Sequence, residues 1–135
     1  MIQIILDDIK PLSENQAYAI FKKGSIARRI KTKKARDFES TIHKLLLNYK
    51  KHLDWLLDNS NEGLLVEYKI YNQKVIKKNG GISKTFLDVD NIKLLQDNIF
   101  SFFGVNDAYI MKVSSEKIQS SKNYIEVNIS IYSQK

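Results

Sequence analysis

The pattern of apolar and polar positions predicts two amphipathic helices and four short strands. Apolar residues recur every three or four positions over about residues 34–58 and again over 91–103, as on one face of a helix. Residues 64–71 and 123–132 alternate strictly, which is typical of strands with one buried face. The predicted strands cover residues 2–6, 64–71, 107–114 and 123–132. The order β-α-β-α-β-β predicts an α+β fold, an α/β sandwich with two helices packed on a mixed β-sheet.

The remaining segments are predicted to be loops, and the second helix has recognisable ends. Residues 16–33 have weak periodicity and are interpreted as a loop with a short irregular strand. Residues 72–84 contain adjacent glycines and indicate a flexible basic loop or a ragged hairpin tip. Asp90 or Asn91 is the expected N-cap of the second helix, and Gly104 its expected C-cap.

Composition limits the classes of protein and site that this chain can represent. Its 135 residues suit one domain over residues 1–135, with a core large enough to fold alone. The absence of cysteine excludes disulfides, zinc-thiolate sites and thiol catalysis. No apolar run approaches the ~18 residues of a membrane span, and the apolar start of the chain is too short for a signal peptide. We therefore expect a cytoplasmic protein with no membrane partner.

The net charge of +7 is concentrated in two segments. Residues 22–36 carry eight basic side chains and residues 69–84 carry five, and neither segment contains an acid. Two basic patches on an acidic remainder suggest a polyanion such as nucleic acid, although solvated lysine-rich loops are the alternative. The candidate phosphate contacts are Arg28, Arg29, Lys31, Lys33, Lys34, Lys77, Lys78 and Lys84.

Three aspartates are the candidate metal ligands. Asp88 and Asp90 precede the second helix, and Asp107 follows it beyond Gly104. On extended backbone, side chains at i and i+2 point to the same face, so the first two could share one ion. Mg²⁺ prefers oxygen ligands from a few carboxylates, water and substrate phosphate. A helix cap with an Asx turn is the structural alternative. Asp107 has to be brought back toward Asp88 by the strand that follows Gly104.

At this point the motifs resemble those of the RusA-type Holliday-junction resolvases, which are small dimeric endonucleases. The Asp-x-Asp-Asn of residues 88–91 is followed by Lys93 and Asp97 on the next helix and by Asn106-Asp107 after it. Residues 11–18 match the family's Pro-x-Ser-x-Asn-x-x-Tyr, and the segment before residue 88 is basic, as in the family. The resemblance extends from about residue 4 to 132.

The resemblance implies a Mg²⁺-dependent (Mn²⁺ possible) endonuclease that resolves four-way DNA junctions as a homodimer. Asp88, Asp90 and Asp107 would bind the metal, and Lys93 would be the catalytic lysine. Lys93 lies two residues beyond Asn91 instead of the family's three, so a one-residue deletion has to be assumed, and Leu94 is expected to pack against the sheet. The family's acidic pair is reduced to Asn106-Asp107. A non-catalytic nucleic-acid-binding protein of the same fold is the alternative.

Overall fold

The alternating apolar positions form a mixed four-stranded sheet. The computed structural model describes residues 1–24, 26–86 and 91–133. Its strands are Ile2–Asp7 (β1), Tyr18–Lys23 (β2), Ile26–Lys31 (β3), Leu64–Asn72 (β4), Ile110–Gln119 (β5) and Tyr124–Ile131 (β6). The main sheet has the order β1-β6-β4-β5, in which β4 and β5 are parallel and the other neighbours are antiparallel. The strands β2 and β3 form a separate antiparallel hairpin.

One face of this sheet is covered by helices and carries the core. The helices are Glu14–Ala17 (α1), Lys33–Leu46 (α2), Leu53–Asn59 (α3) and Lys93–Phe103 (α4). The residues of β4 that face α2 and α4 are fully buried, whereas those between them are half-buried. The buried residues of β4 are Leu64, Val66, Tyr68 and Ile70. The predicted α+β fold, with two main helices on a mixed sheet, is confirmed. None of the helices in the described residues has the length and apolar character needed to cross a bilayer.

The prediction of one continuous helix over residues 34–58 is wrong. α2 ends at Leu46, and a 3₁₀ segment, Leu47–His52, separates it from α3. In this segment the hydroxyl of Tyr49 donates to the carbonyl of Ile5 and accepts from its amide, both at 3.1 Å, which ties the turn to β1. A 3₁₀ helix has three residues per turn, so apolar side chains still recur at nearly helical spacing. The sequence pattern therefore does not reveal the break.

The prediction that residues 16–33 form mostly loop is also wrong. This segment contains α1 and the β2–β3 hairpin, and all six residues of β3 are exposed. The base of the hairpin is fixed by Thr32, whose hydroxyl donates to the carbonyl of Gln16 at 2.7 Å and accepts from the amide of Ala35 at 3.2 Å. Thr32 is thus also the N-cap of α2. Because β3 buries no face, it lacks the alternation by which strands are recognised.

β4, α4 and β5 form a parallel β-α-β unit that decides where the candidate residues lie. α4 runs back along the sheet, so its first turn is near the end of β4 and its last turn near the beginnings of β4 and β5. Gly104 is the predicted C-cap, with a left-handed φ of +66°. The helix begins at Lys93, two residues later than predicted, and its N-cap position is Ile92, which makes no side-chain cap hydrogen bond. β5 also extends beyond the predicted residue 114 to Gln119.

Candidate functional site

Asp107 lies on a short turn between α4 and β5. It is the first residue of a 3₁₀ turn, Asp107–Tyr109, and it is exposed. Asn106 caps this turn, since its side-chain oxygen accepts from the amide of Ala108 at 2.9 Å. The Asp107 carboxylate forms no ion pair within residues 1–24, 26–86 and 91–133. It is therefore available to a cation, whereas the amide oxygen of Asn106 already accepts a hydrogen bond.

A polar pocket of about 250 Å³ lies at the other end of α4. Its walls come from the segment after β1, from α1, from the end of the basic loop and from the turn before α4. They are Lys10, Pro11, Ser13, Gln16, Lys84, Thr85, Phe86 and Asn91. The Nζ of Lys10 lies 5.5 Å from the centroid of the Phe86 ring. The pocket thus brings the Pro-x-Ser segment beside the segment that leads into the Asp-x-Asp-Asn motif.

Asn91 and Asp107 are held apart by the length of α4. The helix has eleven residues, which corresponds to about 16 Å at 1.5 Å per residue. β5, the strand after Gly104, begins at the end of the sheet away from Asn91, and whether it brings Asp107 toward Asp88 stays a prediction. Asp88 and Asp90 lie outside the described residues. The described part of the chain holds no group of three His, Asp or Glu residues suited to a metal ion, and the convergence of the three aspartates stays a prediction.

The first turn of α4 separates the two candidates for the family's lysine position. Lys93 is exposed, whereas Leu94 is only 5% exposed and belongs to the core. The expectation that Leu94 packs inside is confirmed. A cation in the first turn of a helix is unfavourable with respect to the helix dipole by about 0.3–1 kcal/mol. The functional role of Lys93 stays a prediction.

The first basic segment follows the β2–β3 hairpin into α2, and its members differ in environment. The guanidinium carbon of Arg29 lies 3.9 Å from the centroid of the Tyr18 ring, so this ring is covered by an arginine. Lys31 donates to Glu39 at 2.9 Å; this hydrogen bond raises the pKa of Lys31 and lowers the pKa of Glu39. The Nζ of Lys33 lies 3.9 Å from a carboxylate oxygen of Asp37, four residues further along α2. Two further members, Arg28 and Lys34, are exposed.

The second basic segment ends in a small hairpin tip. A single bridge joins Ile76 to Ile82, and the amide of Lys77 donates to the carbonyl of Gly81 at 2.7 Å. Lys77 and Lys78 are exposed at this tip, and Lys84 lines the polar pocket. Of the two alternatives for this loop, the hairpin tip is the one that the structure contains. The same pocket contains a second cation, Lys10. The charge pattern did not identify Lys10, because it lies outside both basic segments.

Comparison with known proteins agrees with the arrangement of these motifs. The family model of endodeoxyribonuclease RusA matches residues 8–130. The chain belongs to the RusA family. The match covers the Pro-x-Ser segment, both basic segments and the three aspartates, and this family acts on branched DNA junctions as endonucleases. No curated protein sequence matches the chain.

Proposed function

We propose that this protein is a Mg²⁺-dependent endonuclease that resolves four-way DNA junctions. The observation that supports this most directly is the polar pocket at the start of α4. There Lys84 and Asn91, which flank the Asp-x-Asp motif, face Lys10 and Ser13 from the Pro-x-Ser segment. Within a member of the RusA family, this is the point at which a scissile phosphate would meet both motifs.

The residues available for a metal fit a hard cation. Asp107 offers an exposed carboxylate with no ion pair in the part of the chain that the structure describes. We assign Asp88 and Asp90 as the other ligands on the basis of the family pattern. A bound Mg²⁺ would supply an activated water and stabilise charge on the phosphate. Lys93 would place a cation beside the phosphate oxygens, where negative charge develops in the transition state.

The basic surfaces would hold the DNA outside the reaction centre. The β2–β3 hairpin is a two-stranded ribbon whose exposed cations include Arg28, and the major groove of B-DNA is wide enough for such a ribbon. Lys77 and Lys78 form a second contact at the tip of the other loop. These contacts are to phosphates, so they would position the substrate without reading its sequence.

A homodimer suits both the substrate and the geometry of the chain. A four-way junction has two-fold symmetry, so a two-fold dimer can place one site on each of two strands. The described residues of one chain keep Asp107 a helix length away from Asn91. A metal centre that uses the aspartates from both ends of α4 would therefore take Asp107 from the partner subunit.

One observation favours the alternative, a non-catalytic junction-binding protein. Asn106 replaces the first acid of the family's acidic pair, and its side-chain oxygen caps a turn. The discriminating experiment incubates the purified protein with a synthetic four-way junction and with duplex DNA, each with Mg²⁺ and with a chelator. Cleavage of the junction only in Mg²⁺ supports the enzyme, whereas binding without cleavage in either condition supports the alternative.

A further inference from the structure

β5 is a long edge strand that the rest of the described chain leaves open. Its ten residues pair with β4 on one side, and within the described residues no strand pairs with the other side. Val113 lies beside the buried Val66 on the helix-covered face, yet it is 39% exposed, and the neighbouring Met111 is 54% exposed. The helices therefore do not extend over β5. An exposed edge with apolar residues is a template for pairing with another chain.

The charges on β5 indicate which chain this is. Lys112, Ser114 and Glu116 point to the same face, and all three are exposed. Neither Lys112 nor Glu116 forms an ion pair in the described part of the molecule. In an antiparallel pair of two identical strands that is centred on Ser114, each Lys112 lies directly opposite a Glu116. Opposite charges at such positions stabilise a sheet by about 0.2–1 kcal/mol for each pair.

We propose that β5 pairs antiparallel with β5 of a second copy, about a two-fold axis at Ser114, to form a continuous eight-stranded sheet. The proposal gives an interface to the dimer of the proposed function, on which its biological meaning rests. Two other axes on the same face of β5 are disfavoured by charge. An axis at Lys112 places two lysines opposite each other, and an axis at Glu116 places two glutamates opposite each other. Like charges in directly opposed positions destabilise the pairing. The axis at Ser114 forms both ion pairs at once.

This pairing also has a consequence for the site. Asp107 lies just before β5, and Asn91 lies at the opposite end of the β4–β5 pair. Because the second copy of β5 runs in the opposite direction, Asp107 comes to the end of the sheet at which α4 of the partner subunit begins. The same interface that closes the open edge thus joins the two halves of the candidate site across the subunits.

The first test is a disulfide at the proposed axis. The chain contains no cysteine, so Ser114→Cys introduces a single thiol. Residues opposite each other in an antiparallel pair have Cα atoms about 4.5–5.5 Å apart, which is within the range for a disulfide. Ser114→Cys is expected to form a covalent dimer on mild oxidation. Ile118→Cys on the same strand is the control, because its two copies would be roughly 26 Å apart at about 3.3 Å per residue.

The second test exchanges the charges, with mass measured by sedimentation equilibrium. Lys112→Glu and Glu116→Lys should each raise the dimer Kd about tenfold or more, because each replaces two attractive pairs with two repulsive ones. The double variant should restore the wild-type Kd. A monomeric wild-type protein, a dimer in which the control cross-links as well as Ser114→Cys, or a double variant weaker than both singles would overturn the interface.

The two proposals fail in different ways. If Ser114→Cys cross-links and the charge exchange restores the dimer, but no junction is cleaved in Mg²⁺, the interface is right and the proposed activity is wrong. If the wild type cleaves junctions but none of the β5 variants changes the dimer, the activity is right and the interface lies elsewhere.

Discussion

The start of α4 provides the sharpest prediction about single residues. Lys93 and Leu94 are neighbours, but the first is exposed and the second is buried in the core with 5% of its surface accessible. Leu94→Ala should therefore lower the free energy of unfolding by about 2–5 kcal/mol, the cost of removing a buried leucine side chain. Lys93→Ala removes a cation from the first turn of a helix and should change stability by less than about 1 kcal/mol.

In catalysis the order should be reversed, and Lys93→Ala should lose more activity than Leu94→Ala. A cation beside the scissile phosphate contributes where charge develops, and losing such a group costs about 2.7–4 kcal/mol, or roughly 10²–10³ in rate. Lys93→Ala should thus lose most of its cleavage rate while it still binds the junction, because one lysine among many contributes little to phosphate affinity. Leu94→Ala should cleave nearly normally under conditions in which it remains folded.

Urea unfolding and single-turnover cleavage, performed on both variants, test this contrast. With a urea dependence of about 1–3 kcal/mol per molar, the Leu94→Ala midpoint should fall by roughly 1–3 M. A Leu94→Ala protein as stable as the wild type would refute the assignment of this position to the core. A Lys93→Ala protein that cleaves at the wild-type rate would show that the catalytic cation comes from another residue, and Lys84 and Lys112 are the next to test.

Two further predictions concern binding and pH. Replacing the exposed Arg28 and Lys34 by alanine should reduce the slope of log K against log salt by about two, at roughly 0.9 for each contact. Lys31→Ala should reduce the slope by less than the roughly 0.9 expected for one contact, because Lys31 already pairs with Glu39. A reduction by the full roughly 0.9 would contradict this. Burial raises the pKa of Tyr68 well above its usual 10. Its contribution to stability is therefore complete below about pH 10 and is lost at higher pH, as the unfolded chain ionises first. Tyr68→Phe should be less stable at pH 7 by about 0.5–1.5 kcal/mol, and urea midpoints should show this difference shrinking at pH 11.

The elements that the sequence predicts well are those with one buried face. β4 alternates strictly because its even-numbered residues are all buried, and α4 has a continuous apolar stripe that ends at a left-handed glycine. The β2–β3 hairpin was missed because β3 is exposed on both faces. The second half of β5 was missed for the same reason, since an open edge strand tolerates polar residues such as Glu116 on either side.

The position of the candidate site depends on pairings that no local pattern contains. The motif spacing indicated which residues to consider, and the burial of Leu94 agrees with the assumed one-residue deletion. The distance between Asn91 and Asp107, however, follows from the parallel pairing of β4 with β5 across α4. A sequence pattern does not reveal whether neighbouring strands are parallel. For this reason the sequence alone does not show that Asp107 and Asn91 lie at opposite ends of the β4–β5 pair.

The most direct test of the proposed activity compares wild type with Asp90→Asn on a labelled four-way junction in Mg²⁺, at protein concentrations that give equal bound fractions. The substitution keeps the shape of the side chain but removes the charge needed by the metal, and it relieves repulsion with the phosphate. We expect Asp90→Asn to bind the junction as tightly as wild type or more tightly and to leave it uncut. Cleavage by Asp90→Asn near the wild-type rate would contradict the assignment of the active site.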